Sequence, residues 1–187
     1  KSVANFDYVF ANSNLKYIPK DGGTFILYKN MPVGEKADKS SCDFTIRIVD
    51  EILFLQPKLK IAVLTKFRAA VRMLQNSFIS QFGSKDNVLI DTVERVQGMT
   101  CDVCLYFIPN TMMGMSLNRA LFNVATSRAK QLTIIVADGS IMNTSCHKDV
   151  HSYLTCVTSG IVSELKDNKL IKSDERIIEG NGVSLHL

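Results

Sequence analysis

Short apolar runs alternate with amphipathic segments along most of the chain. That is the pattern of strands and helices in a layered α/β domain. After the Asp21-Gly22-Gly23 turn, TFILYKN has the β-branched and aromatic content of a short strand. Met31 to Lys39 is polar and loop-like, and Ser40, Ser41 or Asp43 can cap a helix carrying Phe44, Ile48 and Leu55. That helix must stop before Pro57. Ile61–Thr65 (IAVLT) is a continuous apolar run, the mark of a strand buried on both faces of a parallel sheet. The spacing of Phe67, Ala70, Val71, Leu74 and Phe78 predicts a helix over 67–82, with Arg68 and Arg72 together on another face. Gly83 to Asn87 reads as a turn, and VLIDTV as the next strand.

Two further apolar strands, Val103–Ile108 and Leu132–Ala137, flank a helix. Its stripe is Leu117, Ala120, Leu121, Val124 and Ala125. Arg128 lies four residues after Val124 and seven after Leu121, so it continues the stripe. Arginine cannot lose its charge, and burying it unpaired is costly. It belongs at the margin of the packing, either in an ion pair with an Asp or aimed at an anion. Asp138-Gly139 is a turn, and a helix over 147–157 turns Val150, Leu154 and Val157 inward. The tail from Thr158 is polar and weakly periodic, read as a short helix with an added strand or as a mobile end. The expected fold is α/β, with a largely parallel sheet of about five or more strands and helices on both faces.

Composition changes this picture little. The 187 residues suffice for one domain with a full core, and 46% apolar against 21% charged residues is an ordinary globular balance. Net charge is +4, which permits nucleic-acid contact without arguing for it. No apolar run reaches the roughly 18 residues of a membrane span, and no signal peptide opens the sequence. A membrane partner is therefore not expected. Lys1 stands at the first position, so the chain is read as a piece of a longer protein or a processed product. Cys42, Cys101, Cys104, Cys146 and Cys156 are an odd, scattered set, as in a cytoplasmic protein with reduced thiols. Cys101 and Cys104 form a CxxC, but three residues apart on a regular strand they face opposite ways. Cys146, His147, His151 and Cys156 could be read as zinc ligands; a fortuitous cluster is the better reading, and no metal site is expected.

Two stretches carry a resemblance. TVERVQGMTCDV, residues 92–103, resembles motif V of superfamily-1 DNA/RNA helicases, commonly T-V-x-x-x-Q-G-x-E-x-D. NVATSRAK, residues 123–130, resembles their motif VI, usually N-V-A-x-T-R-A-K/R, with Ser127 replacing a Thr. Order, gap and the strand after motif VI also fit. The resemblance implies a RecA-like, P-loop NTPase-type fold and the second motor domain of such a helicase. It implies that Arg128 is an arginine finger for ATP. It makes Thr92, Arg95 and Gln97 candidate nucleic-acid contacts, and Gly98 and Thr100 candidate neighbours of the nucleotide. In one branch of the family an arginine of motif IV falls where Arg72 stands; Arg72 is then a second phosphate-facing arginine, or else a solvated helix residue.

The sequence also departs from the family. Where relatives resembling the nonsense-decay helicases read S-x-x-N-R-x-E, this chain has SSCDFTI, with Phe44 and Ile46 at the charged positions. Thr100 replaces the motif V glutamate, and only Thr65 and Phe67 survive of TPYxxQ. No G-x-x-x-x-G-K-[ST] loop is present, and Asp50-Glu51 falls inside a predicted helix rather than at a strand end. ATP and Mg²⁺ are thus expected to be held chiefly by an N-terminal RecA-like domain of the same polypeptide, and the isolated chain to be inactive. The expected organisation is a lead-in over 1–20, the second RecA-like domain over 21–158 and an extension over 159–187. The expected partner is single-stranded DNA or RNA. A module that kept the fold and lost turnover is the alternative.

Overall fold

The computed structural model describes residues 23–167, 177–179 and 183–185. The expected lead-in, 1–20, lies outside the described residues. Strands β1 (Gly23–Lys29), β2 (Ile61–Thr65), β3 (Val88–Thr92), β4 (Cys101–Ile108) and β5 (Ala129–Ala137) form a parallel sheet in the order β3-β2-β4-β5-β1. β7 (Val183–Leu185) adds antiparallel to β1, and β6 (Ile177–Glu179) pairs antiparallel with β7. The helices are α1 (Lys39–Leu55), α2 (Arg68–Phe82), the single turn α3 (Met113–Ser116), α4 (Arg119–Thr126) and α5 (Lys148–Asp167). This is the α/β, RecA-like architecture expected from the sequence.

Alternation along the strands builds two cores. Ile61, Val63, Leu105, Phe107, Ile134 and Val136 face the side covered by α1 and α2, through residues such as Val49, Ile52, Leu74 and Phe78. Leu64, Tyr106, Ile108 and Ile135 face the side covered by α4 and α5, through Phe122, Ala125, Val150 and Leu154. With both faces covered, every residue of β2 is buried, which is why IAVLT carries no polar alternation. Phe122 anchors the second core, edge-on to Tyr106 (6.2 Å between centroids) and to Tyr153 (5.4 Å). Such pairs add about 0.5–1.5 kcal/mol beyond area burial.

Local chemistry shifts several expected boundaries. Asp38, not Ser40, Ser41 or Asp43, caps α1, its carboxylate accepting from the Ser41 amide at 2.8 Å. Asp138 caps a 3₁₀ turn, Gly139–Asn143, where a simple turn was expected. α5 runs through the expected boundary at 158/159. Asp50 and Glu51 lie within α1 and do not terminate a strand.

The helix of the NVATSRAK stretch starts later than its apolar spacing suggests. The Asn118 side chain accepts from the amides of Ala120 and Leu121, at 3.1 and 3.4 Å, and so fixes the first turn at Arg119. Leu117 is buried ahead of the helix, Ala120 is exposed, and Phe122 with Ala125 forms the inner face. α4 ends at Thr126 and Ser127 is its C-cap, so Arg128 is not on the helical stripe. It stands in the link to β5.

Candidate functional site at the amino edge of the sheet

Five parallel strands give the sheet an edge where the chain enters every strand and an opposite edge where it leaves. Lys60, Asn87, Thr100 and Arg128 immediately precede β2, β3, β4 and β5, so all four stand at the amino edge. Side chains tie this edge together. The Asp102 carboxylate accepts from the Lys60 amide at 2.9 Å, while the amides of Asp102 and Val103 donate to the Lys60 carbonyl. Asn87 donates to the carbonyls of Pro57 and Leu59, at 2.9 and 2.8 Å.

Arg128 is half-buried and held by three neutral acceptors. Its Nε donates to the Val124 carbonyl at 2.8 Å, one terminal nitrogen to the Met99 carbonyl at 3.1 Å, and the other to Ser127 Oγ at 3.0 Å. A guanidinium has five N–H groups. Two of them, one on each terminal nitrogen, have no partner among the described residues, and no carboxylate pairs with Arg128 there. The fork is therefore fixed in direction with its charge uncompensated, which is the state that receives an anion in bidentate fashion.

The segment that supplies the Met99 carbonyl crosses the sheet face. It leaves β3 at Thr92 and makes one 3₁₀ turn, Val93–Val96, whose Val93 and Val96 are buried. It then passes through Gln97 and Gly98 to Met99 and Thr100, all exposed. Gly98 has φ +88°, and a Cβ there would meet nothing within 4 Å. The glycine is needed for its backbone angle, not for space. The two valines anchor the turn and Gly98 turns the chain back, so the Met99 carbonyl reaches Arg128. Between them and the strand starts lies a cavity of about 240 Å³, walled by Lys60, Ala62, Leu89, Thr100, Cys101 and Arg128 among others.

The structure brings Arg128, Gly98 and Thr100 together and separates the other sequence-derived candidates. Thr92 ends β3 at the carboxyl edge, and at 7% exposure little of it is open to a strand of nucleic acid. Arg95 is exposed, 3.6 Å from the Asp91 carboxylate, and Gln97 is exposed beside it. Arg72 lies in the second turn of α2, which follows the carboxyl end of β2, and it is exposed. A five-residue strand spans roughly 16 Å, so Arg72 and Arg128 stand at opposite edges.

Sequence spacing missed Lys60 and Cys101. Cys101 was expected to face away from Cys104, but the β4–β5 register shifts between Cys101 and Val103. This bulge turns Cys101 onto the α4 side, in one core with Cys104. The Cys101 thiol donates to the Arg128 carbonyl at 3.6 Å and the Cys104 thiol to the Ala125 carbonyl at 3.4 Å. The neighbouring Cys104 side chain, opposed by burial and Asp102 and aided by the Ala62 backbone and Arg128, draws the Cys101 thiol below its usual pKa. The Cys101 side chain and burial push Cys104 well up. Among the described residues, no group of three or more His, Cys, Asp or Glu side chains gathers as metal ligands would. His147 accepts from the Asp149 amide at 3.2 Å.

The family model described as an AAA domain matches residues 28–140, more than half of the chain. The chain belongs to this AAA-domain family. The domain occurs in C-terminal regions of superfamily-1 helicases, and the chain is accordingly a helicase-like domain of nucleotide-binding type. The matched span runs from β1 to the turn after β5, so it contains Gly98, Thr100 and Arg128. A search of curated proteins finds no match. Among the described residues, no helix is long and apolar enough to cross a membrane.

Proposed function

We propose that this chain is the second motor domain, covering 21–158 with a C-terminal extension over 159–187, of an ATP-dependent superfamily-1 helicase or translocase acting on single-stranded nucleic acid. The observation that carries the reading is Arg128, which stands at the amino edge with no carboxylate partner and with two N–H groups lacking an acceptor among the described residues. In open parallel sheets the domain's own ligand binds at the carboxyl edge. An anion at the amino edge is therefore one that a second body presents. An N-terminal RecA-like domain carrying the phosphate loop and metal carboxylates supplies such an anion, the γ-phosphate of ATP with its Mg²⁺. Arg128 stabilises the charge that develops as that phosphoryl group leaves, an effect worth about 10³–10⁵ in rate. Gly98 and Thr100 border the nucleotide. Exposed Arg95 and Gln97 contribute to the nucleic-acid track through sequence-tolerant backbone contacts.

The test compares the isolated chain with the longer protein that contains it. The isolated chain hydrolyses no ATP, because it has no phosphate loop to position ATP and Mg²⁺. The longer protein hydrolyses ATP with Mg²⁺, and an unstructured oligonucleotide accelerates it. Turnover by the isolated chain, abolished by Arg128→Ala, overturns the division of labour. A longer protein that binds the oligonucleotide but hydrolyses nothing identifies an inert module instead.

A further inference from the structure

The bulge at the start of β4 leaves two thiols on one face, at the carbonyls that frame Arg128. Cys101 lines the cavity that Arg128 also lines, and is 8% exposed. Cys104 lies behind it and is fully buried. The Cys101 amide and thiol both donate to the Arg128 carbonyl, the amide at 3.1 Å, and Met99, which holds the guanidinium, is two residues earlier. From this geometry we infer that Cys101 and Cys104 are an oxidisable dithiol, reached through the cavity by a peroxide-class oxidant, whose closure displaces Arg128.

The reaction balances as two steps. The Cys101 thiolate attacks a peroxide oxygen; the O–O bond breaks, hydroxide leaves and the sulfur, losing two electrons, becomes a sulfenic acid. The Cys104 sulfur then attacks that sulfur; the S–O bond breaks, an S–S bond forms, and water departs with the Cys104 proton. One peroxide is reduced to two waters once the proton released by Cys101 is counted. The order follows from position. Cys101 is the thiol at the cavity, where Arg128 stabilises the thiolate, Asp102 opposes it and Cys104 can donate to it. Cys104, with its proton held more tightly, is the resolving partner.

Bridged half-cystines have Cα atoms about 4.4–6.8 Å apart, whereas three extended residues span roughly 10 Å. The bulge must tighten for the bond to close. That movement pulls on the Arg128 carbonyl through the Cys101 amide, and on the Met99 carbonyl through the chain. A bridge closed under strain is also readily reduced, as a switch requires and a structural staple does not. The covalent chemistry is independent of the function proposed above; only its effect on turnover rests on that reading.

The test treats the intact protein with equimolar hydrogen peroxide, denatures it in N-ethylmaleimide and digests it with trypsin. Cleavage after Arg95 and Arg119 yields a peptide, 96–119, with both thiols and no other cysteine. The expected product is that peptide unalkylated and two hydrogens lighter, reverting with dithiothreitol. Cys42, buried and pushed up to about 12 by burial and the Asp38 charge, serves as the unreactive reference. Cys104→Ser should stop at a Cys101 sulfenic acid that dimedone traps, and Cys101→Ser should give neither product. Full alkylation of both thiols after peroxide, or oxidation of Cys101 no faster than Cys42, overturns the inference. In the longer protein the bridged form should lose ATP turnover about 10²-fold and recover it on reduction. A bridge that forms without changing turnover, in a protein that Arg128→Ala inactivates, overturns the coupling. A bridge that forms where Arg128→Ala is itself harmless leaves the dithiol standing and overturns the finger.

Discussion

Replacing Arg128 by alanine separates a catalytic arginine from a structural one by the size of two effects. The substitution removes three hydrogen bonds, to the carbonyls of Val124 and Met99 and to Ser127 Oγ. None of those acceptors is a carboxylate, so no buried charge is orphaned, and water can reach a half-buried position. Each bond contributes about 0.5–1.5 kcal/mol net. Solvent access puts the total at about 1–2 kcal/mol, or roughly 2–8 °C in Tm for a domain of this size. The finger contribution is larger: a loss of about 10³–10⁵ in rate corresponds to about 4–7 kcal/mol of transition-state stabilisation. In the longer protein, Arg128→Ala should therefore melt a few degrees early and lose essentially all ATP turnover per folded molecule. Arg128→Lys keeps the charge without the planar fork and should recover little. The measurements are thermal unfolding by circular dichroism and steady-state ATP hydrolysis at saturating oligonucleotide. A variant that melts far earlier yet turns over at the wild-type rate would make Arg128 a structural residue.

Three further outcomes follow from the fold. Gly98→Ala and Gly34→Ala both force alanine to a positive φ, +88° and +89°, with no atom in the way; each should cost about 1–3 kcal/mol in denaturant unfolding, but only Gly98→Ala, beside the Met99 carbonyl, should also lower ATP turnover of the longer protein. Phe122→Ala empties the ring site between Tyr106 and Tyr153 and should lower unfolding free energy by about 3–5 kcal/mol; a loss under about 1 kcal/mol would mean the second core does not depend on it. Burial pulls the Asp43 pKa up, but hydrogen bonds from Lys39 and Ser77 outweigh it and hold the carboxyl below 3.8. A depressed folded pKa gives stability that is full above the unfolded value and lost as pH falls through the folded one. The stability gap between wild type and Asp43→Asn should thus be constant above about pH 5 and close in stronger acid; a gap that widens with acid reverses the sign.

What the sequence disclosed depended on whether the information was periodic. The both-face burial of IAVLT and the inner stripe of α2, from Phe67 to Phe78, follow from spacing and stand in the structure as read. The start of α4 does not, because one Asn118 side chain outweighs a stripe beginning at Leu117. The faces of Cys101 and Cys104 were misread for a related reason. Period-two alternation assumes an unbroken ladder, and nothing in TCDVC marks the extra residue that breaks it.

The edges of the sheet are a different kind of information. Arg72 and Arg128 both lie near element ends, and local sequence cannot say which end of the sheet each end occupies. That depends on direction. Arg128 comes after a helix and before a strand, so it meets a parallel sheet at the amino edge; Arg72 comes after a strand and within a helix's first turns, so it meets the carboxyl edge. Once all five strands are parallel, this assignment needs no coordinates at all. Two basic residues of similar local setting therefore stand at opposite edges of one sheet. Under the proposed function, Arg128, held by two carbonyls and a hydroxyl and by no carboxylate among the described residues, takes the phosphate that a neighbouring domain presents at the amino edge.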